Sequence, residues 1–105
     1  FEVYAGDDIL TLPIMAAGGV GVISVTSNVA PRLVVELTDA LRAGDLPRGQ
    51  AAARKLFALM QGLFVEVNPI PVKTALAMMG VCAEEFRLPL TPMAAANRAF
   101  AHYRW

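Results

Sequence analysis

Short β-branched runs occupy the start of this chain and helical spacing takes over after Pro31. Glu2 to Ala5 reads as a buried-type strand and Gly6-Asp7-Asp8 as the turn that leaves it. Ile9, Leu10, Leu12, Ile14 and Met15 are too densely apolar for a helix open to water, so this segment is expected to pack between a sheet and a neighbour. Asp7 or Asp8 is expected to cap that helix, Pro13 to bend it and Gly18-Gly19 to end it. Val22 to Val25 forms a second strand, almost continuously apolar as in a parallel strand covered on both faces. No turn between the strands is tight enough for an antiparallel hairpin, so the pattern predicts a strand–helix–strand crossover. Its polar exit, Thr26-Ser27-Asn28, lies at the strand's C-terminal end, where parallel barrels place their chemistry.

The rest of the pattern is helical. Pro31 opens a helix to about Ala43, stopped at Gly44. Asp45 caps the next, through about Phe64, with Leu56, Leu59, Met60, Leu63 and Phe64 at core spacing. Asn68-Pro69-Ile70-Pro71 breaks the chain, because each proline fixes its own φ and pushes its predecessor out of helical geometry. A helix from about Pro71 to Met79 ends at Gly80; Arg87 to Pro92 is an extended connector; a last helix is expected from about Met93 to Tyr103. Two strands cannot close a sheet, and the chain opens within a strand without an initiator methionine. The expectation is therefore the C-terminal part of a larger parallel-sheet enzyme.

Composition narrows the partners. The chain has 105 residues, 56% hydrophobic and only 17% charged, so its surface is short of charge and some apolar faces are expected to be covered by other chain or by partner subunits. Nine basic and nine acidic residues are interspersed and no Lys/Arg run forms a phosphate-tracking stripe, which argues against nucleic acid. Ile9 to Pro31 carries no charge, but Pro13, Gly18-Gly19, Gly21 and the polar Ser24–Asn28 group break it, so neither a membrane span nor a signal peptide is expected. The lone Cys82 excludes an internal disulfide, suits a reducing compartment and reads as a small buried residue after a helix. His102, the single histidine, reads as a surface or packing residue, so neither a zinc site nor any cofactor is expected.

Four blocks then stand in a specific order: Gly6-Asp7-Asp8; Gly18 to Ala30, reading GGVGVISVTSNVA; Phe64 to Lys73, reading FVEVNPIPVK; and Arg87 to Pro92, reading RLPLTP. Together they resemble the C-terminal portion of the dihydrodipicolinate synthase family, one of the pyruvate-dependent class I aldolase group that includes N-acetylneuraminate lyase. The resemblance spans most of the chain and weakens after Pro92. It implies the last two strand–helix units of a (β/α)8 TIM barrel over residues 1–44, an α/β fold, followed by an appended C-terminal helical domain over 45–105. It also implies a cytoplasmic lyase of lysine biosynthesis, commonly tetrameric. Such enzymes hold pyruvate as a Schiff base on a lysine and condense it with aspartate semialdehyde to 4-hydroxy-tetrahydrodipicolinate.

Little of that machinery falls on these residues. The resemblance matches Ile23 to the position whose main chain lies beside pyruvate, and Gly6 to the glycine whose backbone faces the substrate, so both are expected to bind substrate. It assigns no catalytic residue here: the Schiff-base lysine, relay tyrosine, threonine pair and carboxylate-binding arginine belong to earlier strands. Lys55, beside Arg54 on a polar helix face, and Lys73, after a proline-fixed loop, read as structural. Tyr4 does not match the relay tyrosine, and Asp7 and Asp8 splay apart, so capping explains them better than a paired-carboxylate site. The chain alone is accordingly expected to be inactive and to self-associate. Two alternatives stand: a related sugar-acid aldolase, or a non-catalytic self-assembling module.

Overall fold

The computed structural model describes residues 1–99. Two short strands, β1 (Tyr4–Ala5) and β2 (Gly21–Val22), pair in parallel with Tyr4 opposite Gly21 and Ala5 opposite Val22. Between them lie a 3₁₀ turn (Asp8–Leu10) and the helix α1 (Thr11–Ala16), so the expected crossover is present. Main-chain bonds carry the pairing slightly further: the Val20 amide donates to the Val3 carbonyl at 2.8 Å, and the Ile23 amide to the Ala5 carbonyl at 2.9 Å.

Both strands are shorter than the apolar runs that predict them. β2 stops before Val25 because that residue turns into right-handed helical geometry (φ −77°, ψ −43°) and opens a second 3₁₀ turn, Thr26–Asn28. The amides of Val25 and Thr26 go to the Asp8 carboxylate rather than to a neighbouring strand. The first helix is also shorter than expected. The Gly19 amide closes it on the Ile14 carbonyl at 2.8 Å, and a Cβ on Gly19 would sit 2.6 Å from Ile14 Cγ2, so only glycine fits that approach. Thr11 and Met15 are buried in α1, whereas Ile9 and Leu10 are exposed among the described residues, contrary to a helix covered all round.

The helical half is the packed one. Pro31 occupies the first turn of α2 (Pro31–Arg42), and Gly44 at φ +73° provides the left-handed residue that ends it. The Asp45 carboxylate then accepts from the Arg48 amide at 3.1 Å and caps α3 (Leu46–Gly62). α2 and α3 pack along each other. Leu37, Ala52, Leu56, Leu59, Met60 and Leu63 form one buried cluster with Val72 and Ala75 of α4 (Ile70–Met78). Phe64 departs from expectation: α3 ends at Gly62, the helical spacing ends with it, and the ring lies exposed.

Beyond α4 the chain is held by side chains. The Lys73 ammonium donates to the Glu85 carbonyl and lies 5.0 Å from the centre of the Phe86 ring. Glu84 pairs with Arg98 at 2.6 Å, and Glu66 accepts from the Ala94 amide at 2.9 Å and from Asn97 Nδ2 at 2.8 Å. Cys82 is exposed rather than buried, because it lies past Gly80 on the bend leaving α4. The expected helix from Met93 fails at its start, since residues 93–94 have no regular structure and 95–97 form a turn. Its remainder from residue 100, with His102, lies outside the described residues. No helix among the described residues is long and apolar enough to cross a membrane.

Candidate functional site

The two parallel strands end on the same side, and the register sets Gly6 beside Ile23. Gly6 follows β1 directly, and a Cβ added there would meet nothing within 4 Å, so space is open next to its backbone. Ile23 follows β2 and its side chain is 73% exposed. Its amide is committed to Ala5. Both residues thus offer main chain rather than functional groups: a glycine permits close approach, and a carbonyl at a strand end can accept a hydrogen bond.

A polar cluster stands behind them. Asp7 and Asp8, alternatives for one cap in the sequence, do different work. Asp7 stays outside and accepts from the Ile9 amide at 3.2 Å. Asp8 turns inward to 1% exposure. Its Oδ1 accepts the Ser24 hydroxyl, while Oδ2 accepts the amides of Val25 and Thr26 at 2.9 Å each. Ser24 Oγ in turn accepts from the Ser27 amide at 2.9 Å, and Ser27 Oγ donates to the Ser24 carbonyl at 3.0 Å. Asn28 turns outward and its amide donates to the Val25 carbonyl. Thr26 is fully buried, and its hydroxyl has no hydrogen-bond partner among the described residues. The polar exit of β2 is therefore a folded 3₁₀ turn braced by Asp8. Sequence reasoning missed that brace, because two of its three donors are main-chain amides, which any residue but proline carries, and only the Ser24 hydroxyl is a side-chain signal.

Among the described residues, neither lysine bonds into this cluster. Lys55 is exposed on α3, and Lys73 is engaged with Glu85 and Phe86. The exposed Tyr4 donates to Glu2 at 3.1 Å; that bond, with the charge of Glu2, raises its phenol above the usual range. A groove of about 240 Å³ opens between β2 and α2, lined by Tyr4, Gly21, Ser24, Val34, Thr38 and Arg42 among others. Arg42 donates there to the Val20 carbonyl at 3.2–3.3 Å. Among the described residues, no group of three His, Cys, Asp or Glu side chains is placed to hold a metal.

Comparison with known proteins identifies the family of the chain. Residues 1–102 match the model of the dihydrodipicolinate synthetase family. The 4-hydroxy-tetrahydrodipicolinate synthase of Trichlorobacter lovleyi is 51% identical over 98 residues, covering 93% of this chain and 34% of the relative. That of Geobacter metallireducens is 50% identical over 97 residues, covering 92% and 33%. Among solved structures, dihydrodipicolinate synthase from Aquifex aeolicus superposes with a TM-score of 0.95 at 52% identity, over 96% of this chain and 34% of that one. The chain thus spans about a third of the length of the relatives it matches.

Proposed function

Because the chain belongs to the dihydrodipicolinate synthetase family, we propose that it forms part of a lyase condensing pyruvate with aspartate semialdehyde, through a lysine Schiff base, to 4-hydroxy-tetrahydrodipicolinate. The observation that carries this reading is the identity of 51% over 98 residues with a synthase of that name. In such a reaction the lysine amine and the pyruvate ketone lose water to form an imine. The protonated imine withdraws electrons from the methyl group, which loses a proton and becomes the nucleophile toward the aldehyde carbon.

This chain's share is to shape the substrate side. Gly6 and Ile23 are the positions we assign to it, Ile23 through its main chain. Supporting this, both stand at the C-terminal ends of adjacent parallel strands, the end where (β/α)8 enzymes carry their sites. On the same reading residues 1–44 are the last two strand–helix units of such a barrel, and 45–105 an appended helical domain. On this reading the Schiff-base lysine comes from elsewhere in the complete enzyme, since Lys55 is exposed on α3 and Lys73 is engaged with Glu85 and Phe86. The exposed Val3, Ile23 and Leu10 beside the strands favour further chain or subunits covering the sheet, and we assign the assembly as a homo-oligomer.

Borohydride trapping with labelled pyruvate tests this. A full-length enzyme carrying these residues should trap pyruvate on a lysine other than Lys55 and Lys73, and the 105-residue chain alone should trap none. An adduct on Lys55 or Lys73, or none in the full-length enzyme, would overturn the reading.

A further inference from the structure

We propose that Asp8 is a positioning residue for the pyruvate site, holding the main chain of Ile23 in place beside Gly6; this rests on the assignment of those two residues above. With its side chain 73% exposed, Ile23 gets little packing from the residues of this chain. Its position is set by bonds on either side. Before it, its own amide donates to the Ala5 carbonyl at 2.9 Å. After it, each of the next three residues is gripped by Asp8, through the Ser24 hydroxyl and the amides of Val25 and Thr26.

Ala5 and Asp8 bracket Gly6, so one short segment carries both restraints and the glycine. Asp8 is itself anchored, because the Thr11 hydroxyl donates to its carbonyl at 2.7 Å. Capping its own helix does not account for it, since Asp7 already fills that role. A carboxylate buried to 1% exposure and accepting three donors from across the sheet is a brace between the two strand ends. Without it the amides of Val25 and Thr26 lose their acceptor, and the peptide unit between Ile23 and Ser24 keeps on its far side only the local bonds between Ser24 and Ser27. A displacement of about 1 Å at a reacting centre costs on the order of a hundredfold in rate.

The test is steady-state kinetics on a full-length enzyme carrying these residues, with pyruvate and aspartate semialdehyde varied separately, alongside thermal midpoints and borohydride trapping. Asp8→Ala should raise the pyruvate KM about tenfold or more and leave the aldehyde KM little changed. Asp8→Asn should do less, because its oxygen still accepts both amides while its NH₂ meets Ser24. Ser24→Ala, which removes one bond of the three, should do least. A role confined to folding would lower the active fraction, and hence kcat, with both KM values unchanged. That pattern in the two milder variants would overturn the proposal, and they decide it if Asp8→Ala does not fold. Failure of the unsubstituted enzyme to trap pyruvate would overturn the functional reading and this proposal with it. Trapping by that enzyme, with pyruvate KM unchanged in the variants, would overturn the proposal alone.

Discussion

The strand half and the helical half of this molecule are held by different forces. From Phe1 to Asn28 the strands are two residues each and apolar side chains such as Val3, Tyr4 and Ile23 lie exposed. Besides the packing of Met15, Val22 and Val25, that half is ordered by hydrogen bonds to the Asp8 carboxylate and the Ala5 carbonyl. From Pro31 to Met78, Leu37, Leu56 and Leu59 are all but inaccessible and one apolar cluster ties three helices together. Burying a large aliphatic side chain contributes about 1.5–3 kcal/mol, whereas a typical hydrogen bond contributes a net 0.5–1.5. The helical half therefore holds most of the stability, and the strand half most of the geometry that the proposed chemistry needs.

Substitutions at the extremes of burial should separate the halves. Leu56→Ala, at a fully buried position, is expected to cost about 2–5 kcal/mol in a urea titration, because it leaves a cavity among α2, α3 and α4. Loss of well under 1 kcal/mol would mean that the helices collapse around the gap and the contrast is weaker than burial implies. Ile23→Val, which trims an exposed side chain, should stay within about 0.5 kcal/mol in the same titration. A larger loss would show that other parts of the protein cover Ile23.

The smallest effect is expected from Glu84, whose carboxyl is held below the usual glutamate range first by the hydrogen bond that Arg98 donates and also by the charge of Arg98, against a partial desolvation. A folded-state pKa below the unfolded one means that the pair's stabilisation is complete above the ordinary glutamate pKa and is lost as pH falls through the folded value. The thermal midpoint of Glu84→Gln should therefore lie slightly below that of the unsubstituted protein at neutral pH and converge with it on acidification. A gap that widens in acid would contradict the pairing.

The same division explains what could be read from the residues alone. Pro31, Gly44, Asp45 and Gly80 mark helix ends through their own backbone and side-chain chemistry, and each boundary falls within a residue or two of its signal. Strand extents were not legible, because a strand is as long as its partners allow, and those partners are remote in sequence. Asp8 was misread for the same reason. Its donors lie 16, 17 and 18 residues onward, so only the fold distinguishes it from Asp7. Phe64 and Cys82 fall just past helix ends, where periodicity stops carrying information about burial. Gly6 and Ile23 could be singled out only through the resemblance, since neither carries a functional side chain.

Glu66 reaches across 28 residues of chain to the Ala94 amide, and across 31 to Asn97. Such a clasp closes a long loop, and the entropy of closure rises only with the logarithm of length, about 0.6 kcal/mol for each doubling. The connector Arg87–Pro92 inside that loop, largely exposed, can thus gain or lose a few residues with little change in the strength of the clasp. A change of length costs least there, whereas one between Ala5 and Asp8 would pull apart the bonds that hold both ends of that short segment to the second strand and its exit.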